Sequence, residues 1–315
     1  MGRVHPRTVA LALAVLALSA CTSEPVASPA ASSTPSRLPA ASIPPSRPPA
    51  ASIPPGPAPG GTAPTPVPSG TAPGRSFEVA TRTLKLRRGA GRPLPTTVWV
   101  PQGDGPFPLI LFSHGLNGNP ADYRTLLAVW ARAGFVVAAP AYPFTSGGTE
   151  KFNVLDVLNQ PADASYVITE TLAAVKAADP QRVAAAGHSA GGVTTIGMFS
   201  NARDERLRAA VVLSGRQVLP QPFTGPEAPM LFVHGRRDNV VAYADGRAAY
   251  DAVTWPKAFV SVTDGGHVAV GRALDVVSAT STDFWRWTLY GDDRARSRLK
   301  NHATRGGVAT YIDDL

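Results

Sequence analysis

The sequence predicts an α/β fold, a mostly parallel sheet with helices packed on both faces. Three observations carry that expectation. From Ser76 onward, short unbroken apolar runs alternate with segments of helical period, the pattern of strands buried on both faces. Residues able to do chemistry follow several of those runs directly: Ser113-His114-Gly115, Gly187-His188-Ser189, His234 to Asp238, and Gly265-Gly266-His267. Right-handed crossovers bring the carboxyl ends of parallel strands to one edge, where sites collect. Finally, the length beyond Ser76 is ample for one large core.

The segments before Ser76 are of a different kind. MGRVHPR carries Arg3 and Arg7 and leads into the apolar run TVALALAVLALSA, too short to be a stable membrane span. The run ends LSAC at Cys21, the single cysteine of the 315 residues. The stretch resembles a bacterial lipoprotein signal peptide. That resemblance implies cleavage before Cys21, acylation of its thiol, and a lipid anchor on the outer face of the cell membrane. One cysteine allows no intramolecular disulfide. Residues 21–75 are rich in proline, alanine, serine, glycine and threonine, with a near-duplicate decamer, SRLPAASIPP and SRPPAASIPP. Such composition buries too little apolar surface to fold and favours a semi-stiff tether. The expected organisation is therefore a signal peptide (1–20), a lipidated cysteine with its tether (21–75), and one catalytic domain (76–315).

Within that domain FEVATRTLKL and TTVWVP read as strands, the first alternating as a half-buried antiparallel edge does. LILFS (109–113) precedes a helical pattern at 121–134. FVVAAP (135–140) precedes a long loop and a helical pattern at 162–179. RVAAAG (182–187) leads into AGGVTTIGMFSNA, and AAVVLS (209–214) into a proline-rich loop. PMLFVHG (229–235) precedes AYADGRAAYDAV. KAFVSVT (257–263) precedes a terminal helix at 273–290.

A serine hydroxyl is a weak nucleophile at neutral pH and needs a base within hydrogen-bond reach. GHSAGG (187–192) has the G-x-S-x-G form of a sharp strand-to-helix turn, and here a β-like run precedes it and a helical one follows. Ser189 is the expected nucleophile. In this arrangement the acid and then the base come later in the chain. His267 fits the base, following a strand and two glycines. His188, His114 and His234 read as packed neighbours. Asp238 fits the acid that orients His267, ahead of its rivals Asp245, Asp251 and Asp264. The oxyanion hole needs two backbone N–H groups. Ala190, after the nucleophile, supplies one, and Leu116, in SHGLNGNP, supplies the other. Tyr142 and Phe144, with Phe152 and Leu155, either wall a substrate pocket or anchor the loop 142–160 as packed hydrophobics.

FSHGLNGNPADY, AGFVVAAPAYP, GHSAGG, VHGRRD and GGH resemble the α/β-hydrolase superfamily. More narrowly, they are similar to its dienelactone hydrolase-like branch, with bacterial relatives of platelet-activating-factor acetylhydrolase and of cutinases. The resemblance covers residues 76–290. It implies an eight-stranded, mostly parallel sheet and carboxylic-ester hydrolysis through an acyl-enzyme. Ala190 stands where the cutinases commonly carry methionine, and their carboxyl-terminal cysteine pair has no counterpart; both departures weaken a polyester assignment.

The formal charge is +8, or +6 once Arg3 and Arg7 leave with the signal. The cations are scattered without a basic stripe or interleaved aromatics, which excludes nucleic acid as an expected partner. No residue spacing suggests a metal site, and no phosphate loop or dinucleotide fingerprint is present. The expectation is a cofactor-free monomer acting on a small-molecule or lipid ester, with the membrane as partner through the anchor. Acyl transfer to a wall or lipid acceptor, and a catalytically silent binding lipoprotein, are the competing expectations.

Overall fold

Alternate residues of one strand show how the sheet is covered. In the computed structural model, which describes residues 72–315, strand β3 (Phe107–Ser113) is buried along its whole length. Leu109 and Leu111 enter one apolar cluster and Ile110 and Phe112 the other, because successive side chains of a strand point to opposite faces. Unbroken apolar runs are therefore required here.

Nine strands form the sheet: β1 (Val79–Arg88), β2 (Arg92–Pro101), β3, β4 (Val136–Pro140), β5 (Ala178–His188), β6 (Leu207–Leu213), β7 (Met230–Gly235), β8 (Lys257–Val262) and β9 (Ala309–Asp314). Their spatial order is β1-β2-β4-β3-β5-β6-β7-β8-β9. From β4 to β8 all neighbours run parallel. The β1–β2, β2–β4 and β8–β9 pairs are antiparallel.

Helices α1 (Arg124–Arg132), α5 (Arg272–Tyr290) and α6 (Asp293–Ala303) send apolar residues into one cluster. Helices α2 (Gln160–Ala174), α3 (Ala190–Gly197) and α4 (Tyr243–Asp251) send theirs into the other. Trp130 of α1 stands edge-on to Trp285 of α5, with ring centroids 5.8 Å apart, and donates its Nε1–H to Ser281 Oγ at 2.9 Å. That contact ties α5, and the loop before it, to α1.

The eight expected strands all form, but the sheet has a ninth. β9 pairs with the otherwise open edge of β8, placing Ile312 opposite Phe259. Its residues are mostly exposed, so its apolar signal is slight. Helix α6 was likewise not anticipated. Two expected helices end early. The chain leaves α2 at Val175 (φ −115°, ψ 90°) to enter β5, and α3 stops at Gly197, against which the Pro161 ring packs.

The signal-like segment, Cys21 and the tether through residue 71 lie outside the described residues. Residues 72–75, assigned to the tether by composition, contact the domain: Arg286 donates to the Pro73 carbonyl and the Arg75 guanidinium lies over Phe77. No helix of the described residues is long and apolar enough to cross a membrane.

Candidate active site

The site is built at the carboxyl edge of the sheet, beginning with steric fit between β5, β3 and α3. Ser189 sits between β5 and α3 with φ 57° and ψ −119°, a backbone state that non-glycine residues seldom adopt. Such strain costs about 1–3 kcal/mol and persists only where the surroundings impose it. A side chain at Gly187 would run into the Gly191 carbonyl and Thr195, and one at Gly191 into the Ser113 and His114 carbonyls. The two glycines let β5, β3 and α3 close on the turn. Ser189 N–H then donates to the Leu213 carbonyl at 2.9 Å, fixing the turn to β6.

Asp238 and His267, the expected acid and base, come from the loops after β7 and β8. Asp238, after β7, has a fully buried side chain. Its Oδ1 accepts the N–H groups of Val240 and Val241, both at 2.9 Å, and its Oδ2 accepts Nδ1–H of His267 at 2.8 Å. Burial opposes ionisation, but these three donors outweigh it and hold the carboxyl below its ordinary range. Since Nδ1 carries the proton toward Asp238, the lone pair of neutral His267 is on Nε2, the form a general base requires. His234 Nε2, which donates to the Val241 carbonyl, lies 3.2 Å from Asp238 Oδ2. Asp245, Asp251 and Asp264 are paired with Arg216, Arg247 and Arg237 on the surface instead.

A cavity of about 460 Å³ is lined by Leu116, Ser189 and His267. No hydrogen bond joins Ser189 Oγ to His267 among the described residues. Serine–histidine contacts commonly tighten only when substrate is bound. Ala190 opens α3, so its N–H has no helical carbonyl four residues back and lies at the positive end of the helix dipole. Leu116 lies in the loop after β3. On either side of it, Gly115 N–H donates to Tyr123 Oη and Asn117 N–H to the Thr145 carbonyl. His114 braces the same loop from beneath: Nδ1–H donates to the Gly115 carbonyl, and Nε2 accepts from Tyr142 N–H and Ser146 Oγ.

Tyr142 and Phe144 do not wall this cavity, which corrects the pocket reading of these residues and favours the anchoring one. Tyr142 is fully buried with its hydroxyl 2.7 Å from Ser113 Oγ, and Phe144 lies beneath the Arg92 guanidinium. Arg92 of β2 grips both Asp156 and Asp163, drawing the β4–α2 loop down onto the sheet. That loop supports the Leu116 loop through Thr145 and Gly147. Phe152 and Leu155 remain exposed on its outside. The actual lining includes Tyr123 and Leu126, together with Val268, Val270, Leu274 and Val277. Among the described residues no group of three or more metal-ligating side chains gathers.

Residues 71–214 match the family model described as Chlorophyllase, a family of the α/β-hydrolase superfamily. With the sheet order and the turn at Ser189, this decides the fold. The chain has the α/β-hydrolase fold. The match points to a hydrolase of the carboxylic-ester type, and it spans the loop of Leu116 and the turn of Ser189 and Ala190. Asp238 and His267 lie beyond it, in the loops after β7 and β8. No curated protein matches the chain.

Proposed function

We propose that the protein is a serine hydrolase that cleaves carboxylic esters through an acyl-enzyme. The observation that carries this reading is one cavity lined by both the strained Ser189 and the Asp238-oriented His267. His267 Nε2 takes the Ser189 proton as Oγ bonds to the acyl carbon. The N–H groups of Leu116 and Ala190 receive the negative charge that develops on the carbonyl oxygen. His267 passes its proton to the departing alcohol, and water, activated by the same nitrogen, releases the acid. Asp238 stays ionised throughout and steadies the imidazolium.

The cavity lies within the usual range for small-molecule sites, roughly 300–1,000 Å³. Val268, Val270, Leu274 and Val277 favour an uncharged, apolar group, and short to medium acyl chains suit that space. The full chain should release p-nitrophenol from short-chain esters and label with a fluorophosphonate probe. Ser189→Ala should lower turnover on the order of 10⁶-fold. No labelling of the wild type and no turnover of any acyl ester would overturn the reading.

A further inference from the structure

The catalytic reading leaves unused a buried histidine directly beside the nucleophile. His188 is the last residue of β5, buried, with both ring nitrogens occupied. Nε2 lies 2.7 Å from the backbone carbonyl of His267, and Nδ1 lies 2.8 Å from the Tyr123 hydroxyl. A carbonyl only accepts, so Nε2 must carry the proton. The neutral ring then accepts at Nδ1, and the Tyr123 hydroxyl must donate. That hydroxyl in turn accepts Gly115 N–H at 3.1 Å.

The result is a chain with one direction: Gly115 N–H to Tyr123, Tyr123 to His188, His188 to the His267 carbonyl. It joins the three loops that carry the oxyanion donors, the nucleophile and the base. The far end matters most. From Gly266 to Ala269, the His267 carbonyl is the one backbone group with a hydrogen-bond partner among the described residues. Val268 and Val270 beside it are exposed. Asp238 orients the His267 ring, but a ring can be held at one nitrogen while its backbone drifts. His188 fixes that backbone relative to Ser189, one residue away in sequence.

We propose that His188 and Tyr123 are positioning residues. They lock the His267 backbone to the nucleophile turn and to the Leu116 loop, so that the Ser189–His267 distance is set by a hydrogen-bond chain. The proposal rests on the hydrolase reading above. An error of about 1 Å between reacting groups costs up to about 100-fold in rate.

The test uses the full chain with three substitutions. Tyr123→Phe removes the donor to Nδ1 and keeps the ring. His188→Leu removes both bonds. His188→Gln restores an N–H for the His267 carbonyl. Expected is a fall of about 10- to 100-fold in kcat and in the rate of fluorophosphonate labelling for Tyr123→Phe and His188→Leu. KM for a small ester should hold within about two-fold, and His188→Gln should recover most of the loss. Independently of any activity, ¹⁵N ring shifts should show His188 as the Nε2–H tautomer in the wild type and in Tyr123→Phe, with the Nδ1 resonance displaced in the variant by loss of the hydroxyl donor. A wild type that labels, with Tyr123→Phe labelling equally fast, overturns the proposal, as does an Nδ1–H tautomer. A wild type that never labels overturns the hydrolase reading, and the tautomer still decides the structure of the chain. Should His188→Leu fail to fold, Tyr123→Phe and the ring shifts remain decisive.

Discussion

The turn after β5 and the loop after β8 hold two halves of the proposed site by different means. The turn is fixed by contact. Gly187 and Gly191 have no room for a side chain, and the chain is forced into a strained state at Ser189. The loop after β8 begins with a close fit of Gly265 and Gly266 against Gly235, but from His267 onward it has little packing, with Val268 and Val270 facing solvent. His267 itself is held by two hydrogen bonds from outside the loop, Asp238 to its ring and His188 to its carbonyl. Steric fixing is all-or-none because backbones cannot yield. Hydrogen-bond fixing is graded, since each bond contributes on the order of 1 kcal/mol and can be removed singly. Substitutions in the two regions should therefore differ in kind.

The largest effect belongs to the turn. Gly191→Ala puts a methyl group into the Ser113 carbonyl, a backbone atom in the middle of the sheet. Either α3 moves away from β3 or the turn opens, and both destroy the geometry of Ser189. Expected is loss of measurable turnover together with a stability loss of several kcal/mol, of the order seen for severe overpacking. Thermal melts and esterase assays on the same preparation check it. An active Gly191→Ala protein with an unchanged melt would break the contrast between the two regions.

Asp238→Asn should leave the fold standing and remove most of the chemistry. Oδ1 is committed to two backbone donors, so the new amide NH₂ must face His267 and His234. Two donors then oppose each other, and the neutral His267 ring relieves this by moving its proton to Nε2. The base is left in the wrong tautomer, which in a comparable triad costs about 10⁴ in kcat. Retention of more than a tenth of the wild-type kcat would mean that Asp238 does not set the tautomer.

The parallel strands were legible because burial on both faces leaves no room for polar residues, as in LILFS and AAVVLS. Ser189, Asp238 and His267 could be singled out from glycine placement and chain order, and the structure brings Asp238 and His267 into contact. Other features left little trace. In β9 only Ala309 is buried, and α6 buries only Ala295, Leu299 and Ala303 in an otherwise charged helix. Tyr142 stayed undecided because an aromatic residue in a loop after a strand looks the same whether it lines a pocket or plugs the core. Its placement depends on Ser113, 29 residues earlier. The link between Tyr123 and His188 spans 65 residues and has no local signature. The sequence placed both residues beside elements of the site but could not show that they touch.

The smallest expected effect is one of pH on stability, and it separates His188 from the rest of its loop. Burial lowers its pKa from 6.5 to about 4. The His267 carbonyl and Asp238 oppose the shift, while His267 and His234 add to it. Between those two values the unfolded chain binds a proton that the folded protein refuses, so stability falls as pH drops from 6.5 toward 4 and is unaffected by this group above that window. His188→Gln removes the titration. The variant should escape on the order of 2 kcal/mol of the loss that the wild type suffers between pH 7 and pH 4.5. A residual slope should persist from His114 and His234, whose pKa values burial also lowers. Asp238, held below its ordinary range, destabilises the fold only on further acidification. Urea midpoints at the two pH values give the comparison directly. Superimposable pH slopes for wild type and His188→Gln would mean that His188 is not held neutral, and the single direction assigned to its hydrogen-bond chain would fail with it.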